Sequence, residues 1–373
     1  MSPIILALFV AGLALLLLGA ELLVRGASRL ATALGISPLV IGLTVVAWGT
    51  GSPELAVGVK AALAGQPDLA IGNVIGSNIA NILLVLGFAA LIVPLRVSQR
   101  VVRLDVPLMI GASVLTLLLA LDGTLGTFDG LLFVTLLIGY TWWTIRASRR
   151  ERRTIAAEHE HELGSAGDEI PDLRGRWPMF VSNGLMVAGG LFLLVKGSDW
   201  LVEGASAIAA ALGLSELTIG LTIVALGTSL PELATSAVAG MRGERDIAVG
   251  NAVGSNIFNI LAVLGVTAVV ADGGMPVAAA ALSLDIPIMI AVAIACLPVF
   301  FADYVIDRWS GALFLALYTG YMTFLVMQGT QHAALAGFST IMLAFVIPLV
   351  SFTLVLLLIR SMRSNDGDTS SRS

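Results

Sequence analysis

One stretch of this sequence occurs twice, and the repetition limits what the chain can fold into more than any other feature. Ile41–Ala56 and Ile219–Ala234 are identical at 12 of 16 positions, and so are Gly72–Gly87 and Gly250–Gly265. Glu54 and Glu232, Ser77 and Ser255, and Asn81 and Asn259 are each separated by 178 residues. A constant offset at this identity marks an internal duplication, so the structure one half adopts is required of the other.

The setting of the duplicated stretch is apolar. The 373 residues are 57% hydrophobic and 12% charged, with a mean hydropathy of +0.97, which describes a polytopic membrane protein rather than a soluble domain. A carboxylate in such a run is expensive and marks function by default. Gly49, Gly51 and Pro53 interrupt the helix beside Glu54, and Gly227 and Pro231 do the same beside Glu232. A broken helix frees carbonyls and amides, which is tolerable at membrane depth only where the backbone lines a polar cavity. Free carbonyls, a Thr hydroxyl and a Glu carboxylate are hard oxygen ligands of the kind Ca2+ takes.

Apolar spans are expected at 4–30, 38–64, 69–93, 104–121 and 128–147, then, after a polar stretch from Arg149 to Trp177, at 179–208, 215–240, 247–270, 278–301 and 310–328. An eleventh span, 337–360, has no partner in the first half. With the N-terminus outside and eleven crossings, 18 of the 20 Lys and Arg residues fall on the inner side, all except Lys60 and Lys196. Met1–Ala20 lacks a basic n-region and reads as a retained membrane helix. The expected address is the plasma membrane, the inner membrane in a bacterium, with the C-terminus cytoplasmic.

Five spans per repeat is an odd number, so the two copies sit in the membrane with opposite orientation. Inverted repeats with broken helices in matching positions are a signature of secondary transporters, whose site lies at the midplane between the halves. The expected fold is therefore an all-α polytopic membrane protein of two inverted five-helix repeats plus one extra C-terminal transmembrane helix. Its divisions are 1–148 (motif 41–87), a cytoplasmic linker 149–177, 178–330 (motif 219–265), and a final helix with a cytoplasmic tail, 331–373.

The third span of each repeat supplies the other half of the site. Asn73, Ser77 and Asn81 follow an i, i+4, i+8 spacing on one helix face, and Asn251, Ser255 and Asn259 repeat it. Gly72, Gly76, Gly250 and Gly254 flank that stripe and admit close backbone approach. Two carboxylates, Asn amides and Ser hydroxyls together suit a dehydrated cation. The bland alternatives are interhelical hydrogen bonding for Asn73, Asn78, Asn251 and Asn256, and local capping or pairing for Asp105 and Asp285. His159-Glu160-His161-Glu162 reads as a solvated loop face, and Lys196 as neutralised by Asp199 or Glu203. The lone Cys296 excludes an internal disulfide or a thiolate metal cluster. No nucleophile–base pair argues for an enzyme.

Gly49-Thr50-Gly51-Ser52-Pro53-Glu54 with Gly76-Ser77-Asn78-Ile79-Ala80-Asn81, and Gly227-Thr228-Ser229-Leu230-Pro231-Glu232 with Gly254-Ser255-Asn256-Ile257-Phe258-Asn259, resemble the two α-repeats of the cation/Ca2+ exchanger superfamily, in its sodium/calcium exchanger branch. The resemblance covers the first ten spans. It implies a Ca2+ extruder driven by Na+ entry and working by alternating access, in which Glu54 and Glu232 bind Ca2+ and share in binding Na+. It further implies Na+ ligation by the carbonyls of Ala47 and Ala225 and the hydroxyls of Thr50, Thr228, Ser77 and Ser255, with Ser229, Asn81 and Asn259 completing the set. Implied partners are Ca2+, Na+ and the bilayer, with no nucleic acid, no prosthetic group and no obligate protein partner. H+/Ca2+ or K+-coupled antiport is the alternative, and a cation channel a weaker one.

The chain departs from that pattern in four places. Gly51 stands where a Ser is usual, with Ser52 one position late, and a serine at 51 is expected to be tolerated because the second motif has Ser229. Asn occupies both 81 and 259, where some members carry Asp. The linker of about thirty residues is too short for a separate Ca2+-sensing domain. The eleventh span lies outside the ten-span pattern.

Overall fold

The computed structural model describes residues 3–163, 177–211, 225–301 and 304–348. Its helices are α1 (Pro3–Leu34), α2 (Pro38–Thr50), α3 (Ser52–Leu63), α4 (Pro67–Ile92), α5 (Val101–Ala120) and α6 (Thr127–Leu163), then α7 (Trp177–Ala211), α8 (Leu230–Met241), α9 (Arg245–Val270), α10 (Ala281–Phe301), α11 (Arg308–Gly329) and α12 (Leu335–Ile341). Among the described residues eight helices are long and apolar enough to cross a membrane, and α2 with α3 forms a ninth, bent span. The first part of the expected seventh span and the last part of the eleventh lie outside the described residues. The linker differs from its expected form: α6 does not stop near residue 147 but stays helical to Leu163, through the His159–Glu162 run that had read as loop.

The inversion can be followed contact by contact. A Cβ built on Gly12 would meet Gly197 O and Leu201 N, one on Gly19 would meet Gly190 O and Leu194 N, and one on Gly26 would meet Asn183 O and Met186. As α1 ascends α7 descends, so the first helices of the two halves are antiparallel. Gly12, Gly19 and Gly26 match Gly190, Gly197 and Gly204 at the same 178-residue offset. The duplication therefore includes a seven-residue glycine stripe, which allows the two backbones to touch without intervening side chains.

Along α2 and α3, Gly42 meets Ile247 and Gly250, Gly51 meets Phe258, and Gly58 meets Val263 and Thr267, so this bent span runs parallel to α9. A tight turn with Gly65 at φ 68° reverses the chain into α4. Hence α4 and α9, which carry the Asn–Ser–Asn stripes, are antiparallel to each other. They are also the most buried long helices, with 72% and 83% of their apolar windows enclosed against 22% for α1 and α7.

Two small ladders bind the halves at their ends. β1 (Leu95–Arg96) pairs with β4 (Val305–Ile306), and β2 (Thr124–Leu125) with β3 (Met275–Pro276), each antiparallel and each joining a strand from either half. Matching backbone bonds, Val97 N to Tyr304 O and Val277 N to Gly123 O, both 2.8 Å, extend them.

Candidate cation site

The break beside Glu54 has a plain cause. Pro53 supplies no N–H and its ring clashes with the preceding turn, so α2 and α3 meet at Gly51 with a 45° bend. Pro231 does the same after the helical turn Ala225–Gly227, with Ser229 at the junction. The carbonyl of Gly227, whose helical donor would be Pro231, accepts from Ser198 Oγ at 2.5 Å, whereas that of Ala47 keeps its helical bond from Gly51 N at 3.0 Å. A carbonyl has a second lone pair, so Ala47 O keeps capacity for another ligand. Of Ala225 the structure describes the backbone, at the first position of its turn.

Glu54 and Glu232 each open a short helix and are each 1% exposed. Ser77 Oγ donates to Glu54 Oε1 at 3.5 Å. The threonines cross between the halves: Thr228 stands beside the Glu54 carboxyl and Thr50 beside that of Glu232. Thr50 Oγ1 also donates to Asn251 Oδ1 at 3.1 Å. The asparagines one helical turn before Ser77 and Ser255 tie down the broken backbone, Asn73 Nδ2 donating to Glu54 O and Asn251 Nδ2 to Glu232 O, both at 3.3 Å. Asn251 Nδ2 also reaches Ser236 Oγ at 2.9 Å, and Ser236 in turn donates to Ala248 O.

What remains after this pairing is a set of buried oxygens and amides without protein partners. Glu54 Oε2, both carboxylate oxygens of Glu232, Asn81 Oδ1, both side-chain polar atoms of Asn259, and Ser255 Oγ are all enclosed and unpaired. Most buried polar atoms in proteins are hydrogen-bonded, and leaving one unmet costs free energy. Among the described residues no Lys, Arg or His forms an ion pair with either glutamate, and no group of three His, Cys, Asp or Glu side chains is present. The carboxylate, amide and hydroxyl oxygens of this set are hard ligands of the kind a dehydrated cation takes.

The structure sorts the other candidates. Asn78 and Asn256 are interhelical ties, each donating to a methionine on the opposite half, Met289 and Met109, at 3.4 Å. Asp105, expected to cap or pair locally, instead accepts from Tyr140 Oη of α6 at 2.9 Å, and it faces Arg100 at 3.9 Å. Lys196 pairs with Asp199 at 3.4 Å. Ser52 is exposed and donates to Trp48 O, so it does not stand in for the hydroxyl missing at position 51. The expected tolerance of Gly51 to serine is corrected: an added Cβ would lie 2.8 Å from the ring of Phe258 and 3.0 Å from Ala47 O. Sequence reasoning passed over Ser198 and Ser236. The second stands one turn past Glu232 where the first half has Gly58, a difference visible on aligning the halves.

A predominantly helical polytopic protein whose inverted halves meet at two buried carboxylates has the architecture of a membrane transporter. More narrowly, the chain belongs to the sodium/calcium exchanger family, whose profile, described as sodium/calcium exchanger protein, matches residues 4–146 and 182–327. It is similar to the putative antiporter CaxA of Alkalimonas amylolytica, 40% identical over 72% of this chain and 82% of the relative. It is also similar to the sodium/calcium exchanger MaX1 of Methanosarcina acetivorans, 30% identical over 84% of this chain and 96% of the relative. A solved structure of the sodium–calcium exchanger NCX_Mj superposes with a TM-score of 0.71 at 31% identity, covering 87% of this chain and 99% of that one.

Proposed function

We propose that this protein is an antiporter that extrudes Ca2+ in exchange for Na+ by alternating access, with Glu54 and Glu232 as the Ca2+ ligands. The observation that carries this reading is the group of enclosed, unpartnered oxygens on two carboxylates held between inverted halves. Two carboxylates neutralise one dication, and the surrounding hydroxyls and carbonyls replace its water. In this reading Thr50, Thr228, Ser77, Ser255, Ser229, Asn81 and Asn259, with the carbonyls of Ala47 and Ala225, complete the sites that Ca2+ and Na+ occupy in turn. The similarity to relatives named sodium/calcium exchangers supports Na+ as the coupling ion.

The test is Ca2+ uptake into proteoliposomes with a Na+, K+ or pH gradient imposed in turn. An outward Na+ gradient should drive uptake while K+ and H+ gradients of equal size do not. Uptake that follows the pH gradient instead would assign H+/Ca2+ exchange to the same carboxylates, and flux independent of every gradient would indicate a channel.

The proposed orientation places the C-terminus in the cytoplasm and the β2 loop outside. Thr124→Cys and Ser370→Cys, each on a Cys296→Ala background, report it through an impermeant thiol reagent on intact cells. Thr124 is exposed and Cys296 buried, so the background change leaves the reporter alone. Labelling at 124 and not at 370 is expected, and the reverse would overturn the orientation.

A further inference from the structure

Building on the alternating-access reading, we propose that the ion pair between Glu21 and Arg242 is a latch on the cytoplasmic gate, so that the protein rests open to the outside. The duplication makes two helix contacts equivalent. At the 178-residue offset α7 repeats α1 and α8 repeats α3, so α1 on α8 at one end corresponds to α7 on α3 at the other. In the structure the two differ. Among the described residues α1 packs along α8, whereas α7 and α3 stand apart around a cavity of about 350 Å³. Pro53 and Val57 of α3 and Val202 of α7 form its walls, and the exposed Asp199 and Glu203 stand at its solvent side. Thr228, beside the Glu54 carboxyl, also lines it, so the cavity leads to the site. At the other end Thr235, the equivalent of Val57, is 0% exposed.

The closed end is held by charge. Arg242 caps α8, and its guanidinium meets Glu21 of α1 side-on, Nε on Oε2 and Nη2 on Oε1. Arg25 reaches the same carboxylate from one turn along α1, at 2.5 Å. Ser28 Oγ adds a bond to Glu244 Oε1 at 2.6 Å. A side-on guanidinium–carboxylate pair is the strong form of an ion pair, and Glu21 is largely screened from water.

The open end has no such means. Glu21 corresponds to Asp199, but Arg242 corresponds to Ala64, which caps α3 with the same φ of −84°, and Arg25 corresponds to Glu203. Asp199 pairs instead within its own helix, with Lys196, whose equivalent on α1 is Leu18. Ser206 Oγ, the counterpart of Ser28, is enclosed without a partner, and Gln66, the counterpart of Glu244, is exposed. The glycine stripes hold α1 and α7 together, so closing the pair on α3 would draw it off α8. That exchange breaks an ion pair at the inner end and forms none at the outer end.

Val57→Cys and Thr235→Cys, each on a Cys296→Ala background, report the two ends of the full chain. In detergent without Na+ or Ca2+ a small thiol reagent reaches both, so the readout needs neither transport nor a known orientation. Position 57 should react readily and position 235 slowly. Adding Glu21→Gln or Arg242→Gln should speed reaction at 235 about fivefold, the weight of one such pair, and slow it at 57. Ala64→Arg, which offers Asp199 the missing partner, should move both rates in the same sense. Faster reaction at both positions in the Glu21 and Arg242 variants would mean that the pair only holds the fold together. That result, unchanged rates in those variants, or no response to Ala64→Arg would each overturn the latch. Failure of the antiport reading would show separately, as wild-type protein that takes up no Ca2+ on a Na+ gradient whatever its labelling rates.

Discussion

Replacing either Glu54 or Glu232 by Gln is expected to reduce Ca2+ uptake to the level of empty liposomes while the protein still folds. Both side chains are 1% exposed, and Gln preserves their shape, so packing in α3 and α8 is undisturbed. What changes is charge. Neither carboxylate has a basic partner among the described residues, so their net charge is available to a cation and to nothing else in the protein. One remaining carboxylate leaves a dication half neutralised in an enclosed site, where an uncompensated charge is very costly. Stability separates this from misfolding. Without Ca2+ the variants should melt at or above the wild-type temperature, since one of two unpaired buried acids has gone. With Ca2+ in hundredfold excess over its Kd the wild type should gain about 2.7 kcal/mol, and the variants should gain almost none. Near-normal flux, or a retained Ca2+-dependent rise in melting temperature, in either variant would remove that glutamate from the site.

The parts of this architecture that could be read from the sequence are those the duplication recorded in residue identity. Glu54 and Glu232, the Pro-broken helices and the Asn–Ser–Asn stripes are repeated outright, and an odd number of spans per repeat forces the inversion. Other features depend on which half touches which, and a one-dimensional pattern does not hold that information. Thr50 lies beside Glu232 rather than Glu54, and Asn251 accepts from Thr50 while it ties down Glu232. The glycines of α1 and α7 were visible as letters, but in a uniformly apolar helix they give no amphipathic signal to say which face packs. The π-helical turns that begin at Asn81 and Asn259 likewise carry no composition mark, although a π turn re-aims the residues around it and often accompanies a functional site. The continuation of α6 to Leu163 has no hydrophobic period to mark it, and its polar stretch reads as loop although Glu, Arg and Ala are good helix formers.

Position 51 shows how an alignment of the halves misleads unless the contact partner is aligned too. By comparison with Ser229 a serine there looks harmless. Yet the residue that Gly51 faces, Phe258, corresponds to Ala80 in the other half, so the first half supplies the smaller member of both cross-half pairs, Gly51 against Phe258 and Ala80 against Ser229. Phe258 is 6% exposed and its ring lies 5.8 Å from that of Trp48, which leaves it little room to yield. Gly51→Ser should therefore destabilise by about 1–3 kcal/mol, the usual range for overpacking a buried contact, and should lower Ca2+ flux by displacing Thr50 and the Ala47 carbonyl beside it. Gly51→Ala should do the same, because the obstacle is the Cβ and not the hydroxyl. Phe258→Ala alone should cost about 3–5 kcal/mol through the cavity it opens. In that background the serine should cost little or nothing, since the pair then matches Ser229 with Ala80. The double-mutant cycle in melting temperature and Ca2+ flux should accordingly show a favourable coupling of about 0.5–3 kcal/mol. Strict additivity would mean that Gly51 is constrained by its own backbone and not by Phe258. Full activity of the single Gly51→Ser variant would show that the ring moves aside without loss.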